Sequence, residues 1–188
     1  MDISDFGTEQ KYLSSVGLTL SIDERVNLEL AILKLYEQED FDEVKFWGKI
    51  TGVTKDYYVA IAVNFEGHQG FPHKRMFWCN EQTWLFAELP QSAHAEFSET
   101  INSIFSGEHD RILIEFPKDD ENSTKDFTEL DRLAHVVYSI EKENAVVPRG
   151  SFRLTHGKEI RRNREFAGLS SENFENLDHY HHFRSPES

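Results

Sequence analysis

The sequence lacks the features that disulfide-rich, membrane-spanning and nucleic-acid-binding proteins need. Its 188 residues include a single cysteine, Cys79, so no internal disulfide can form and a reducing compartment is expected. No apolar run reaches the ~20 residues of a membrane-spanning helix, and the acidic start of the chain does not resemble a secretory signal. The chain has 20 basic and 34 acidic residues, and its net charge of −14 disfavours nucleic acid and anionic membranes as partners.

Catalytic motifs are missing as well. The sequence has no G-x-S-x-G or H-E-x-x-H motif, and the GHQG segment at residues 67–70 has neither the lysine nor the Ser/Thr of a phosphate-binding loop. A catalytic Cys79 would need a cationic neighbour, which Lys74 or Arg75 could supply, but a buried structural cysteine is the default interpretation. We therefore expect no enzyme, no catalytic residue and no cofactor.

Three histidines near the C-terminus, His179, His181 and His182, stand beside Glu175 and Asp178. Such side chains can bind a divalent metal, but their spacing fits neither a pair on one helical face nor a usual zinc clip. A surface cluster or a docked aromatic segment is the preferred interpretation, and no metal is expected.

Apolar residues are also scarce, at 38% of the chain, and much of the apolar area comes from aromatic residues, which make up 13%. Large rigid rings suit interfaces as well as cores. We therefore expect the chain to rely partly on neighbouring polypeptides for burial.

The first predicted element is a helix over residues 21–38. Ser21 and Glu24 have the spacing of a capping box, which marks the start of a helix. Ile22, Val26, Leu30 and Leu33 then follow one helical stripe, which Leu28, Leu35 and Tyr36 widen. A helix with so much apolar surface should be buried on more than one side. A core helix is the favoured interpretation, and a partner-facing helix is the alternative.

Alternating patterns then predict strands. Residues 44–51 and 57–65 form a predicted antiparallel hairpin in which Gly48 and Gly52 indicate a bulge or a close backbone approach. The remaining predictions are strands over 74–80, 84–86, 111–116 and 145–152, helices over 92–106 and 128–142, a short helix near 171–178, and a flexible acidic insert over about 117–126. The predicted fold is α+β, an antiparallel β-sheet with an N-terminal helix and inserted helices.

Two groups of residues are candidates for contacts with a partner. The aromatic residues Trp47, Tyr57, Tyr58 and Trp78 lie in strands that are apolar on both faces, so they belong either to the core or to an interface that another subunit completes. The basic residues of the second group lie in a stretch with the single acid Glu159: Arg149, Arg153, Lys158, Arg161, Arg162 and Arg164. This stretch carries +5 and leaves −19 for the rest of the chain. It meets either an acidic surface on a partner or the acidic face of its own chain.

Several segments together resemble one known family. They read FWGKITG at 46–52, DYYVA at 56–60, NAVVPRGSF at 144–152, REFAGLS at 164–170 and HFR at 182–184, and GLTLS at 17–21 precedes them. In this order they resemble the radial spoke head protein 9 family of ciliary axonemes, over nearly the whole chain as one domain, 1–188. Family members continue into a further β-rich, Trp-containing segment, which has no counterpart before Ser188.

The resemblance implies a function that composition only permits. It implies a non-catalytic structural subunit of the axonemal radial spoke head that contributes to head assembly and to ciliary or flagellar motility. The implied partners are type 4/6 head proteins and further head components in a large hetero-oligomer that faces the central-pair apparatus. The implied location is the cytoplasm, cytoskeleton and axoneme. The alternative is a free cytosolic adaptor that binds a peptide along a sheet edge.

Overall fold

The computed structural model describes residues 20–38, 40–65, 72–91, 104–116, 126–157 and 160–182. The chain divides into two compact units, Met1–Val136 and Val137–Ser188. One family-like domain over 1–188 stays a prediction. The predicted insert over 117–126 lies outside the described residues except for Asp126, and so does the predicted helix over 92–106 except for its last three residues.

Helix α1 (Ile22–Gln38) begins where the capping box predicts. The Ser21 backbone N–H donates to Glu24 Oε2 at 2.5 Å, and the Glu24 N–H donates to Ser21 Oγ at 3.2 Å. These two bonds satisfy backbone groups that have no partner inside the first turn.

A four-stranded antiparallel sheet follows the helix in the first unit. Its strands are β1 (Glu43–Ile50), β2 (Tyr57–Asn64), β3 (His73–Asn80) and β4 (Ala87–Glu88), and they are hydrogen-bonded in the order β1-β2-β3-β4. The predicted α+β fold is therefore confirmed. The fourth strand begins later than the predicted 84–86, because residues 81–83 form a turn and Trp84 has φ +48°, which is incompatible with extended backbone.

Both glycines singled out in the hairpin have the expected roles. The β1–β2 register shifts between Phe46 and Gly48, which is a β-bulge. At Gly52 an added Cβ would lie 2.1 Å from the Lys55 carbonyl oxygen and 3.1 Å from the Gly107 nitrogen. The hairpin loop can therefore approach residues 104–107 closely because position 52 has no side chain.

Helix α1 covers one face of the sheet. Its buried side chains are Leu28, Ala31, Ile32 and Leu35. Ile32 and Leu35 pack in one cluster with Phe41, Val44, Ala60, Ala62 and Phe77, and Leu28 packs in another with Tyr58 and Cys79. The predicted stripe of Ile22, Val26, Leu30 and Leu33 is the wrong face, because those four side chains are 47–78% exposed. Helix α1 therefore packs against the core, as predicted, but the side that it buries is not the predicted stripe.

The other face of β2 is covered by residues 104–107 and by the start of helix α2 (Glu129–Asn144), which follows the short pair β5 (Ile112–Ile114) and β6 (Phe127–Thr128). The Tyr57 ring lies edge-on to Phe105 and to Trp78, with centroids 6.1 and 5.9 Å away. The chain itself thus covers both faces of β2. The predicted helix does not extend through residues 104–106, which are irregular.

The second unit includes the rest of α2 and small β elements. β7 (Val146–Pro148) pairs with β10 (Tyr180–His182), and β8 (Phe152–Leu154) pairs with β9 (Ile160–Arg162). Helix α3 (Ser171–Phe174) and a 3₁₀ turn (Leu177–His179) lie where a short helix was predicted. The single strand predicted over 145–152 is two strands, because a turn at Arg149 and Gly150 separates β7 from β8.

Candidate partner-binding site

The aromatic candidates lie mainly in the interior. Tyr57 and Tyr58 are fully buried on β2, and Trp78 is buried on β3, whereas Trp47 is half-buried at the bulge of β1. Burial within this chain therefore favours the core alternative for Tyr57, Tyr58 and Trp78, and a partner contact at any of the three stays a prediction. A partner contact at Trp47 stays a prediction.

The Tyr58 hydroxyl belongs to a polar network between α1 and the hairpin. It lies 2.5 Å from Glu24 Oε1 and 3.2 Å from Glu81 Oε1. Lys49 Nζ lies 2.6 Å from Glu24 Oε1 and 2.7 Å from Asp56 Oδ2. Burial opposes ionisation of Glu24, but the hydrogen bonds from Lys49, Tyr58 and Ser21 outweigh it and lower the pKa of Glu24 to about 2.

The same network contains a group of acids with metal-ligand geometry. Among the described residues, one group of acids has oxygens within 4.8 Å of one another: Glu24, Asp56 and Glu81. The C-terminal histidines do not belong to this group. The Lys49 ammonium already bridges Glu24 and Asp56. It supplies the positive charge that a cation would bring, so the arrangement is that of a structural ion-pair network.

A second buried network centres on Glu129, the first residue of α2. Its carboxylate accepts from the Tyr57 hydroxyl at 2.7 Å, from the Ser106 N–H and hydroxyl at 2.9 and 2.7 Å, and from the Gly107 N–H at 2.8 Å. Burial opposes its ionisation, but these hydrogen bonds together keep the pKa of Glu129 below its usual value. The side chain is 1% exposed, so its role is to hold β2 and residues 106–107 to the helix.

Cys79 is buried in the core beside Leu28 and Tyr58. Burial raises the pKa of its thiol to about 12. A thiol that stays protonated is a poor nucleophile, so the prediction of a structural cysteine agrees with its surroundings.

The basic stretch forms a solvent-exposed arginine cluster in the second unit. Arg153 on β8 lies directly opposite Arg161 on β9, and Arg162 lies opposite Phe152. The two arginines, with Arg162, Arg164 and Thr155, line a cleft of about 430 Å³. Arg149 is exposed in the turn after β7 and does not line this cleft.

In the described part of the first unit, the main apolar surface that a helix exposes is the outer face of α1. Ile22, Val26, Leu30, Leu33 and Tyr36 lie there, and each is at least 47% exposed. Among the residues that the structure describes, this apolar face and the arginine cleft of the second unit are therefore candidate surfaces for partners.

Comparison with known proteins identifies the family. The family model described as "Radial spokehead-like protein" matches residues 1–150. The chain belongs to the radial spokehead-like protein family. The predicted resemblance is thereby confirmed, since a radial spoke head protein 9 homolog of Danio rerio is 33% identical over 180 residues, covering 90% of this chain and 64% of the relative.

Other relatives are similar over different extents. A radial spoke head protein 9 homolog of Bos taurus is 31% identical over 99% of this chain and 70% of its own length. A radial spoke head protein 6 homolog A of Mus musculus is 38% identical over 58 residues, which are 31% of this chain and 8% of that relative. This spokehead-like chain thus spans about two thirds of the length of the protein 9 homologs that it matches.

Sequence reasoning missed the central role of Glu129. The donors to Glu129 lie 22, 23 and 72 residues away along the chain, so no local pattern marks them. Among the described residues, no helix combines the length and the apolar content that a membrane span requires.

Proposed function

We propose that this chain is a non-catalytic structural subunit of the radial spoke head in the axoneme of motile cilia or flagella. Membership of the radial spokehead-like family supports this proposal. The subunit would contribute to head assembly and to regulation of ciliary motility. Its partners would be type 4/6 head proteins and further head components, in a hetero-oligomer that faces the central-pair apparatus.

The observation that carries the proposal is the apolar outer face of α1. Leu30 and Leu33 are 53% and 47% exposed there, beside Val26 and Ile22, although α1 already buries its opposite side in the core. A contiguous apolar helix face on a soluble chain is an aggregation risk unless another polypeptide covers it. Helix-face anchors at three- and four-residue spacing are a common way for such a contact to form.

The adaptor alternative has less support from the sheet. Its long edge strand, β1, carries Lys45 and Lys49 and the bulge before Gly48, and the other edge strand, β4, has only two residues. Charged side chains, bulges and short edge strands all discourage the addition of another strand. A peptide bound along an edge is therefore the less favoured function.

The proposal is tested by expressing the tagged full chain in ciliated cells that lack their own protein 9-type subunit. We expect the wild-type chain to remain with demembranated axonemes and to co-purify with other head proteins after salt extraction. A chain that is found only in the soluble fraction, with no head protein attached, would overturn the proposal.

A matched pair of variants tests the helix face. The Leu30→Glu/Leu33→Glu variant should lose about tenfold or more of its axonemal retention, because it places two charges where apolar contact is needed. The Lys34→Gln/Gln38→Glu variant changes the net charge by the same amount at exposed positions of the same helix. It should be retained like the wild type.

A further inference from the structure

We propose that the arginine cleft, lined by Arg153, Thr155, Arg161, Arg162 and Arg164, binds a glutamate- and aspartate-rich polypeptide segment of another protein. Only the identity of that protein as a spoke-head neighbour rests on the proposed function. The binding itself is a property of this chain and can be tested with a synthetic peptide.

The geometry of the hairpin brings the charges together. Strands β8 and β9 are antiparallel, so Arg153 and Arg161 stand side by side in the ladder, and Arg162 follows immediately. Arg164 comes two residues after the end of β9 and lines the same cleft. Four guanidinium-bearing residues from twelve positions of the chain thus surround one cavity of about 430 Å³.

The four arginines that line the cleft are all exposed to solvent. Like charges directly opposite each other on antiparallel strands are destabilising, and β8 and β9 have only three residues each. Within the described part of the chain, the residues that line the cleft include no carboxylate. A carboxylate bound in the cleft would place a negative charge beside these exposed guanidinium groups, which is the arrangement of a charge-assisted hydrogen bond.

Size and charge favour a peptide over other anions. A cavity of about 430 Å³ lies in the range of about 300–1,000 Å³ that is typical of ligand sites, and it is much larger than one phosphate needs. Guanidinium groups bind carboxylates through two parallel hydrogen bonds. The residues outside the basic stretch carry a net charge of −19. A long nucleic acid or an anionic membrane would place many of its negative charges near these residues, which repel it. A short acidic segment places its charges in the cleft alone.

The test measures binding of a fluorescein-labelled deca-glutamate peptide to the purified full chain by fluorescence anisotropy at low salt. We expect saturable binding that weakens as salt is added. The Arg153→Gln/Arg162→Gln variant should bind about tenfold or more weakly, because charge-assisted hydrogen bonds are lost. The Arg153→Lys/Arg162→Lys variant keeps the charge but lacks the planar fork, and it should fall between the two.

The matched control is Arg111→Gln/Lys142→Gln, which removes two exposed positive charges that do not line the cleft. It should bind the peptide like the wild type.

Equal losses of peptide binding in the control and the cleft variant would overturn the proposal. Tighter binding of inorganic phosphate, of a 20-mer DNA duplex or of phosphatidylserine vesicles would overturn it as well. A salt-sensitive homodimer that the cleft variant abolishes would also overturn it, because the acidic occupant would then be a second copy. Circular dichroism checks that each variant is folded. Peptide binding without axonemal retention would defeat the proposed function and leave this inference standing.

Discussion

A carboxylate as inaccessible as that of Glu129 is costly to a folded protein unless every lone pair finds a donor. Glu129 finds four donors, from Tyr57, Ser106 and Gly107. Two of them are backbone N–H groups in a segment without helix or strand, which would otherwise be buried and unsatisfied. Glu129 therefore replaces regular secondary structure as the hydrogen-bond partner of residues 106–107.

Replacing Glu129 by glutamine tests this role. The amide keeps one acceptor oxygen but points an NH₂ group at donors, so at least one buried donor loses its partner. We expect the free energy of unfolding to fall by about 3 kcal/mol, measured by guanidinium denaturation. Glu143→Gln, on the exposed part of the same helix, should change it by less than about 0.5 kcal/mol. Similar losses in the two variants would mean that Glu129 does not anchor residues 106–107 to the helix.

No sequence signal could have identified that role. Glu129 reads as an ordinary acid in the first turn of a helix, where a negative charge suits the helix dipole. Its partners become neighbours only after β2 and residues 104–107 have packed against α2. The basic stretch is different, because its six basic residues are close in sequence and the sequence alone shows it.

At the scale of elements, the sequence predicts where α1 begins but not which side it buries. The capping box is local, and its two hydrogen bonds form between residues three positions apart. By contrast, the buried face (Leu28 and Ile32) and the exposed face (Val26 and Leu33) both repeat at helical spacing. Periodicity shows that a face exists, but choosing between two apolar faces requires knowing which one the sheet meets.

The β1–β2 hairpin gives the prediction that belongs to this scale. Gly52→Ala places a methyl group 2.1 Å from the Lys55 carbonyl oxygen, so the backbone of the loop must move and its contact with Gly107 is disturbed. We expect a loss of about 1–3 kcal/mol in the free energy of unfolding. Gly48→Ala is the matched control, since no atom lies within 4 Å of its added methyl group. Thermal denaturation compares the two, and an equal cost at Gly48 would contradict the role given to Gly52.

Across the whole molecule, the two buried networks limit the pH range in which the first unit is stable. Burial opposes the charge of Lys49, but the hydrogen bonds that its ammonium donates to Asp56 and Glu24 raise its pKa. Burial and the nearby acids raise the pKa of Tyr58 and Tyr57. Groups with raised pKa values contribute stability at neutral pH that is lost as the pH rises through the folded value. The pKa values of Glu24 and Glu129 are lowered, so these two acids act at the opposite end of the scale.

Acid denaturation tests the acidic end. Because the pKa of Glu24 is about 2 in the folded chain and 4.5 otherwise, the unfolded chain binds more protons between these values. The contribution of Glu24 is therefore complete above about pH 4.5 and is lost as the pH falls toward 2. The difference in free energy of unfolding between the wild type and Glu24→Gln should shrink by about 2–3 kcal/mol between about pH 6 and pH 2. Glu37→Gln, which removes an exposed carboxylate from the same helix, is the matched control for the loss of one negative charge. A constant difference for Glu24→Gln would show that its carboxylate is not held in the ionised form by Lys49 and Tyr58.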